Sequence, residues 1–204
     1  MLITEFMACG ISNISDIKED EIMHKDDIKK VLLTEEEIQA RMKELGQQIT
    51  ADYRGKDLLV VGLLKGAAWT VTDLTRYIDL PLRVDFMVAS SYGNGTSTSG
   101  SVKVKLDISE DIRGKDVLIV DDIVDSGVTF EAIVKMLKEA RPASIKTMAL
   151  CDKAERRING FKCDYVGFNI PDEFVVGYGL DYANDYRNLP FIGVLKSSVY
   201  AKAK

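Results

Sequence analysis

Two rhythms of apolar residues alternate along this chain. Apolar runs occur from Asp57 to Leu64 and at Val117-Leu118-Ile119-Val120, and further strands are expected from Ile145 to Cys151 and from Cys163 to Ile170. A strand covered on both faces of a parallel sheet needs such a run, because neither face meets water. Helical spacing appears between and before these runs. Ile38, Met42, Leu45 and Ile49 recur at intervals of four, three and four behind Thr34-Glu35-Glu36-Glu37, which fits a capping box, so an amphipathic helix is expected to about Tyr53. Further helices are expected from Ala67 to Ile78 and from the end of the central run through Ala140, before Arg141-Pro142 breaks the pattern. Val84, Phe86 and Val88 alternate with Arg83 and Asp85, and Val102 to Leu106 alternates in the same way, predicting strands exposed on one face. Phe191 to Leu195 reads as a closing strand. Strands alternating with helices predict an α/β fold: a doubly wound, mainly parallel sheet with a small additional lobe.

Composition narrows the class. At 204 residues and 46% apolar content, one domain with a substantial core is expected. A formal charge of −5, with Arg156-Arg157 as the longest basic cluster, argues against nucleic acid as a partner. No apolar run approaches the roughly 20 residues that span a bilayer, so no membrane partner is expected. Residues 1–22 are mixed in character, lack a basic residue before Lys18, and read as a peripheral extension rather than a signal peptide, with Met23 a candidate start of the compact part. Three cysteines without CxxC spacing favour reduced thiols and a cytoplasmic location. The single histidine, His24, lies far from every motif, which weighs against a triad or a histidine-rich zinc site.

The chemistry concentrates where the central run ends. Val120 leads into Asp121-Asp122, then into Asp125-Ser126-Gly127-Val128-Thr129, then into a helix. The carboxyl edge of a parallel sheet is where open α/β folds place ligands. This turn adds a glycine, two hydroxyls and a helix start, which suit a phosphate. Two acids beside a phosphate turn are repulsive unless they face hydroxyls or a cation, and a sugar phosphate meets both demands. Leu64-Lys65-Gly66, at the end of another apolar run, is either an ordinary turn with a solvated lysine or a second anion-binding turn. From Ser91 to Ser101 ten of eleven residues are Gly, Ser, Thr or Asn, the exception being Tyr92; this segment reads as the tip of a long hairpin and a lid. Lys153 ends a strand at the same sheet edge as the acids if the order is parallel. No glycine-rich loop ending in Gly-Lys-Ser/Thr and no GxGxxG after a strand is present, so the usual nucleotide fingerprints are absent.

Val117 to Thr129 resembles the phosphoribosyl-pyrophosphate signature of the type I phosphoribosyltransferases. Leu64-Lys65-Gly66, Ser91-Tyr92, Lys153 and the stretch from Pro171-Asp172 through Phe174-Val175-Val176-Gly177-Tyr178 to Leu180-Asp181-Tyr182 follow in the order of the family's hypoxanthine-guanine branch. The resemblance covers about 26–196. It implies a core of about 55–170, a hood lobe from about 23–54 and 171–204, and a long flexible hairpin loop. It also implies Mg²⁺-dependent purine salvage, in which hypoxanthine or guanine plus phosphoribosyl pyrophosphate gives IMP or GMP plus pyrophosphate. Carried over by motif, Asp121, Asp122, Ser126, Gly127, Val128 and Thr129 would hold the phosphoribosyl group, and Asp125 would be the general acid/base. Leu64, Lys65, Gly66 and Arg187 would bind pyrophosphate, the loop through a non-proline cis peptide. Lys153, Phe174, Val175 and Leu180 would bind the base, Asp181 would bind metal, and Ser91 and Tyr92 would belong to the lid. A homodimer or homotetramer and inhibition by guanosine tetraphosphate are further implications. The rival readings are a phosphoribosyltransferase preferring xanthine and a non-catalytic phosphoribosyl-pyrophosphate sensor.

Overall fold

The computed structural model describes residues 24–91 and 102–201. The expected extension over 1–22 and the expected lid with Tyr92 lie outside the described residues. In chain order the elements are β1 (Ile28–Leu33), α1 (Glu35–Asp52), β2 (Leu58–Leu63), α2 (Ala67–Arg76), β3 (Leu82–Ser91), β4 (Val102–Leu106), β5 (Asp116–Val124), α3 (Val128–Lys138), β6 (Ser144–Asp152), β7 (Tyr165–Asn169), β8 (Val175–Val176), β9 (Ile192–Leu195) and α4 (Ser197–Tyr200).

Six strands form one sheet in the order β4-β3-β2-β5-β6-β7. All neighbours from β3 to β7 run parallel, and β4 turns back antiparallel on β3. The expected doubly wound, mainly parallel sheet is therefore present, with the expected hairpin at one edge. Every residue of β2 is buried, and its side chains alternate between two cores. Leu58 and Val60 pack with α1 and α2 on one face, while Leu59, Val61 and Leu63 pack with Phe130, Ile133 and Leu137 of α3 on the other. This two-sided burial explains the apolar run of β2. The chain leaves β2 toward β3 on one side, and β5 then joins β2 on the other. Strand order thus switches between β2 and β5, where open α/β sheets form their ligand crevice.

The capping box of α1 is formed: the Thr34 hydroxyl accepts from the Glu37 N–H at 3.3 Å, and the Glu37 carboxylate accepts from the Thr34 N–H at 2.8 Å. Thr34→Ala is expected to lower unfolding free energy by about 1 kcal/mol, read as a shifted urea midpoint with an unchanged slope. The helix buries Ile38, Met42, Leu45 and Ile49 against the large sheet and α2. Arg41 caps the free edge of β7, donating to Val166 O at 2.9 Å and Gly167 O at 3.0 Å. The apolar stripe of α1 matches that side of the sheet.

A second sheet, β1-β9-β8, is antiparallel and joins the two ends of the described chain. Val31 faces Gly193, and Val175 faces Val194. Two of its strands have no clear local signal: β1 carries two register irregularities and β8 is two residues long.

Candidate active site

The switch point brings the ends of β2 and β5 together. The turn after β2 contains the cis peptide Leu64–Lys65, at the position where the family resemblance implied one. Gly66 follows and lies against Asp122: a Cβ there would be 1.7 Å from Asp122 Oδ2. Only a residue without a side chain permits this approach. Asp122 is buried, and its N–H donates to Asp121 Oδ1 at 2.9 Å. Burial, reinforced by the Asp122 charge, holds the Asp121 carboxyl well above the ordinary carboxylate range. Burial raises Asp122 too, opposed in part by the Arg187 charge. Two adjacent carboxylates taken from water resist double ionisation unless hydroxyl donors or cations reach them.

Beyond β5 the chain turns at Gly127, whose φ of +83° lies in the left-handed region, and α3 starts at Val128. A Cβ on Gly127 would lie 2.5 Å from Asn159 Oδ1 and 2.9 Å from Arg157 Cδ, so glycine is required for space as well as for backbone conformation. The Ser126 hydroxyl accepts from the Val128 N–H at 3.4 Å. Arg157 donates to Asp125 O at 2.8 Å and forms an ion pair with buried Asp152. The loop after β6 therefore clasps the main chain of the phosphate turn.

Lys153 is buried at the carboxyl end of β6. Its Nζ lies 4.0 Å from Asp125 Oδ1 and 3.9 Å from Asp172 Oδ1. Asp125 Oδ1 is itself buried without a hydrogen-bond partner among the described residues. On the opposite wall, Arg187 donates to Gly179 O at 2.6 Å and pairs with Asp181 Oδ1 at 2.6 Å, while Asp181 Oδ2 accepts from the Asn184 N–H at 2.8 Å. Lys65 Nζ donates to Asn184 Oδ1 at 3.2 Å, tying the β2 turn to this segment. Phe174 is 40% exposed and leads into β8.

These groups surround one cavity of about 380 Å³. Of the residues singled out in the sequence, Leu64, Lys65, Gly66, Asp121, Asp122, Asp125, Thr129, Lys153, Phe174, Val175, Leu180, Asp181 and Arg187 line it. Ser126, Gly127 and Val128 flank Thr129 and are not part of the lining, and Ser91 ends β3. Leu63, Ala89 and Ile123 also line the cavity and were not anticipated. Ile123, between the acidic pair and Asp125, had a signal in its position; Leu63 and Ala89 are ordinary strand residues by sequence. Arg157 and Asp152 were also missed as site-supporting groups, since their roles depend on a contact between two loops.

A sequence model of the phosphoribosyl transferase domain matches residues 30–183. Hypoxanthine-guanine phosphoribosyltransferase of Bacillus subtilis is 51% identical over 178 residues, covering 87% of this chain and 99% of the relative. A bifunctional protein TilS/HprT of Listeria innocua is 51% identical over 183 residues, 90% of this chain, and the chain spans 28% of that longer relative. A crystal structure of a hypoxanthine phosphoribosyltransferase from Staphylococcus aureus superposes with a TM-score of 0.84 at 50% identity, covering 86% of this chain and 95% of that one. With relatives of about half identity matched over nearly their whole length, the chain belongs to the hypoxanthine-guanine phosphoribosyltransferase family.

Proposed function

We propose that this chain transfers the phosphoribosyl group of phosphoribosyl pyrophosphate to N9 of hypoxanthine or guanine, giving IMP or GMP and pyrophosphate. The observation that carries this reading is the convergence of the acidic pair, the Leu64–Gly66 turn and the Lys153–Phe174 end on one cavity. Thr129 and the turn before it hold the 5′-phosphate at the start of α3. Asp121 and Asp122 accept hydrogen bonds from the ribose hydroxyls. Their negative charge favours the oxocarbenium-like character that C1′ gains as its bond to pyrophosphate breaks. Pyrophosphate leaves with that bonding pair toward Gly66, Lys65 and Arg187. The purine N9 lone pair forms the new bond, and Asp125 takes the proton from N7. Phe174 stacks on the base, and Lys153 donates to O6. Adenine presents an amino group there, so a donor faces the Lys153 ammonium in place of an acceptor and that contact is lost, which is disfavoured.

Magnesium fits this site in a limited way. Among the described residues no three His, Cys, Asp or Glu side chains converge on one metal position, but Asp181 offers a carboxylate at the cavity wall. One protein carboxylate with waters and phosphate oxygens is a usual Mg²⁺ arrangement, and the bound ion would neutralise pyrophosphate charge. The remaining parts of this reading are a cytoplasmic enzyme of two or four copies, and competitive occupation of the cavity by guanosine tetraphosphate. No helix among the described residues is long and apolar enough to cross a membrane.

The decisive assay measures nucleotide formation from phosphoribosyl pyrophosphate and Mg²⁺ with hypoxanthine, guanine, xanthine, adenine and uracil in parallel. Transfer to hypoxanthine and guanine is expected. Transfer confined to xanthine would replace the base assignment, and no transfer to any base would favour the sensor reading.

A further inference from the structure

The segment after β9 reaches the base end of the cavity from behind. Leu195 N–H donates to Phe174 O at 2.8 Å, and Lys196 N–H donates to Asp27 O at 2.8 Å, fixing where the chain turns. The single turn α4 then returns Tyr200 onto Phe174, with ring centroids 5.1 Å apart and planes at 25°. Tyr182 meets the same Phe174 ring edge-on at 5.7 Å and Tyr200 at 6.4 Å. Both tyrosines pack on the small core formed by Val176, Tyr186, Leu189, Phe191 and Leu195. Phe174 lines the cavity, whereas Tyr182 and Tyr200 do not. Phe174 is thus packed by two rings that do not line the cavity and is still 40% exposed.

We infer that Tyr200 is a positioning residue for the purine, holding the Phe174 ring at the angle from which its other face stacks on the base. This inference rests on the proposed transfer reaction and adds a group to it. A phenylalanine ring rotates about two side-chain bonds, and each orientation other than the stacking one reduces the competent population and so the apparent affinity. An offset-stacked neighbour selects one orientation, and aromatic pairs contribute beyond the area they bury. The effect is expected mainly on the base, because the rings that pair with Tyr200 are Phe174 and Tyr182, whereas the phosphoribosyl and pyrophosphate groups are assigned to β5, the turn at Gly127, the β2 turn and Arg187.

The test compares the unaltered full chain with Tyr200→Leu and Tyr200→Phe. Leucine keeps apolar burial and removes the stack; phenylalanine keeps the stack and removes the hydroxyl. Tyr200→Leu is expected to raise KM for hypoxanthine about three- to tenfold, with KM for phosphoribosyl pyrophosphate changed less than about twofold. Tyr200→Phe is expected to match the unaltered chain. Combining Tyr200→Leu with Phe174→Leu should add little to the effect of Phe174→Leu alone, since Tyr200 acts through that ring. An unchanged or lowered KM for hypoxanthine in Tyr200→Leu, or equal rises in both KM values, would overturn the inference while leaving the transferase reading intact. If the unaltered chain transfers to no purine, the transferase reading falls, and the inference falls with it.

Discussion

Asp125→Asn is expected to lower kcat for hypoxanthine by about 10²–10⁴-fold, the usual contribution of a positioned general acid/base. The substitution changes little besides proton affinity. Asp125 Oδ1 makes no hydrogen bond among the described residues, and its nearest charge is Lys153 Nζ at 4.0 Å. Lys153 keeps Asp172 at 3.9 Å, so its buried ammonium retains a carboxylate neighbour. The Asp125 carbonyl, which accepts from Arg157, is unaffected by a side-chain change. Thermal unfolding should therefore move little while turnover collapses. Initial rates at saturating phosphoribosyl pyrophosphate provide the check, and near-normal kcat would remove Asp125 from the proton transfer.

Asp121→Asn should make the protein more stable and less active. In the unliganded protein Asp121 is held above its ordinary range by burial and by Asp122. A carboxyl whose pKa is raised in the folded state contributes its stability in the protonated form. That contribution is complete below the unfolded value near 3.8 and is lost as pH rises through the folded value. At neutral pH, where the unfolded chain carries this carboxyl ionised, the raised value therefore weakens the fold. Asparagine removes one charge and keeps the oxygen that accepts from the Asp122 N–H. Tm should rise at pH 7 relative to the unaltered chain, and the difference should vanish as pH falls below about 4. Transfer should fall about 10- to 100-fold, since a charged acceptor for a ribose hydroxyl is replaced by a neutral one. A variant with lowered Tm at neutral pH would show that the pair is not a source of strain in the unliganded protein. This opposition of stability and activity is expected where a site is built for a ligand's hydroxyls and charges.

Much of the molecule was readable from local pattern. The capping box at Thr34 and Glu37 formed as read, and the apolar runs became β2, β5, β6 and β7. Expected and observed boundaries differ most at β5, which continues through the acid pair to Val124 rather than ending at Val120. The hairpin of β3 and β4 followed from alternation. By contrast, β1 pairs with β9 across most of the chain, and neither its burial nor its register has a simple period, so nothing local announced it. The surface that α1 covers was not legible locally either. Amphipathicity says that a helix needs a partner surface without saying which one.

At the site, Asp121, Asp122 and the Asp125–Thr129 turn were legible because strand, acid pair, glycine turn and helix start are adjacent in the chain. Their surroundings were not. Gly66 lies on Asp122, Arg187 pairs with Asp181, and Tyr200 stacks on Phe174, and each contact joins segments that meet only after both sheets assemble. By itself the sequence determined most of the secondary elements, the phosphate-friendly turn and the residue types suited to a sugar phosphate, since backbone geometry and side-chain chemistry act over a few residues, and the 6-oxopurine came only with the family resemblance. Only the tertiary structure decided that the turns after β2 and β5 share a crevice, that the Asp121 and Asp122 carboxylates line it, and which aromatics pack on Phe174. Those outcomes depend on strand order and on packing between distant segments, for which no short-range period exists.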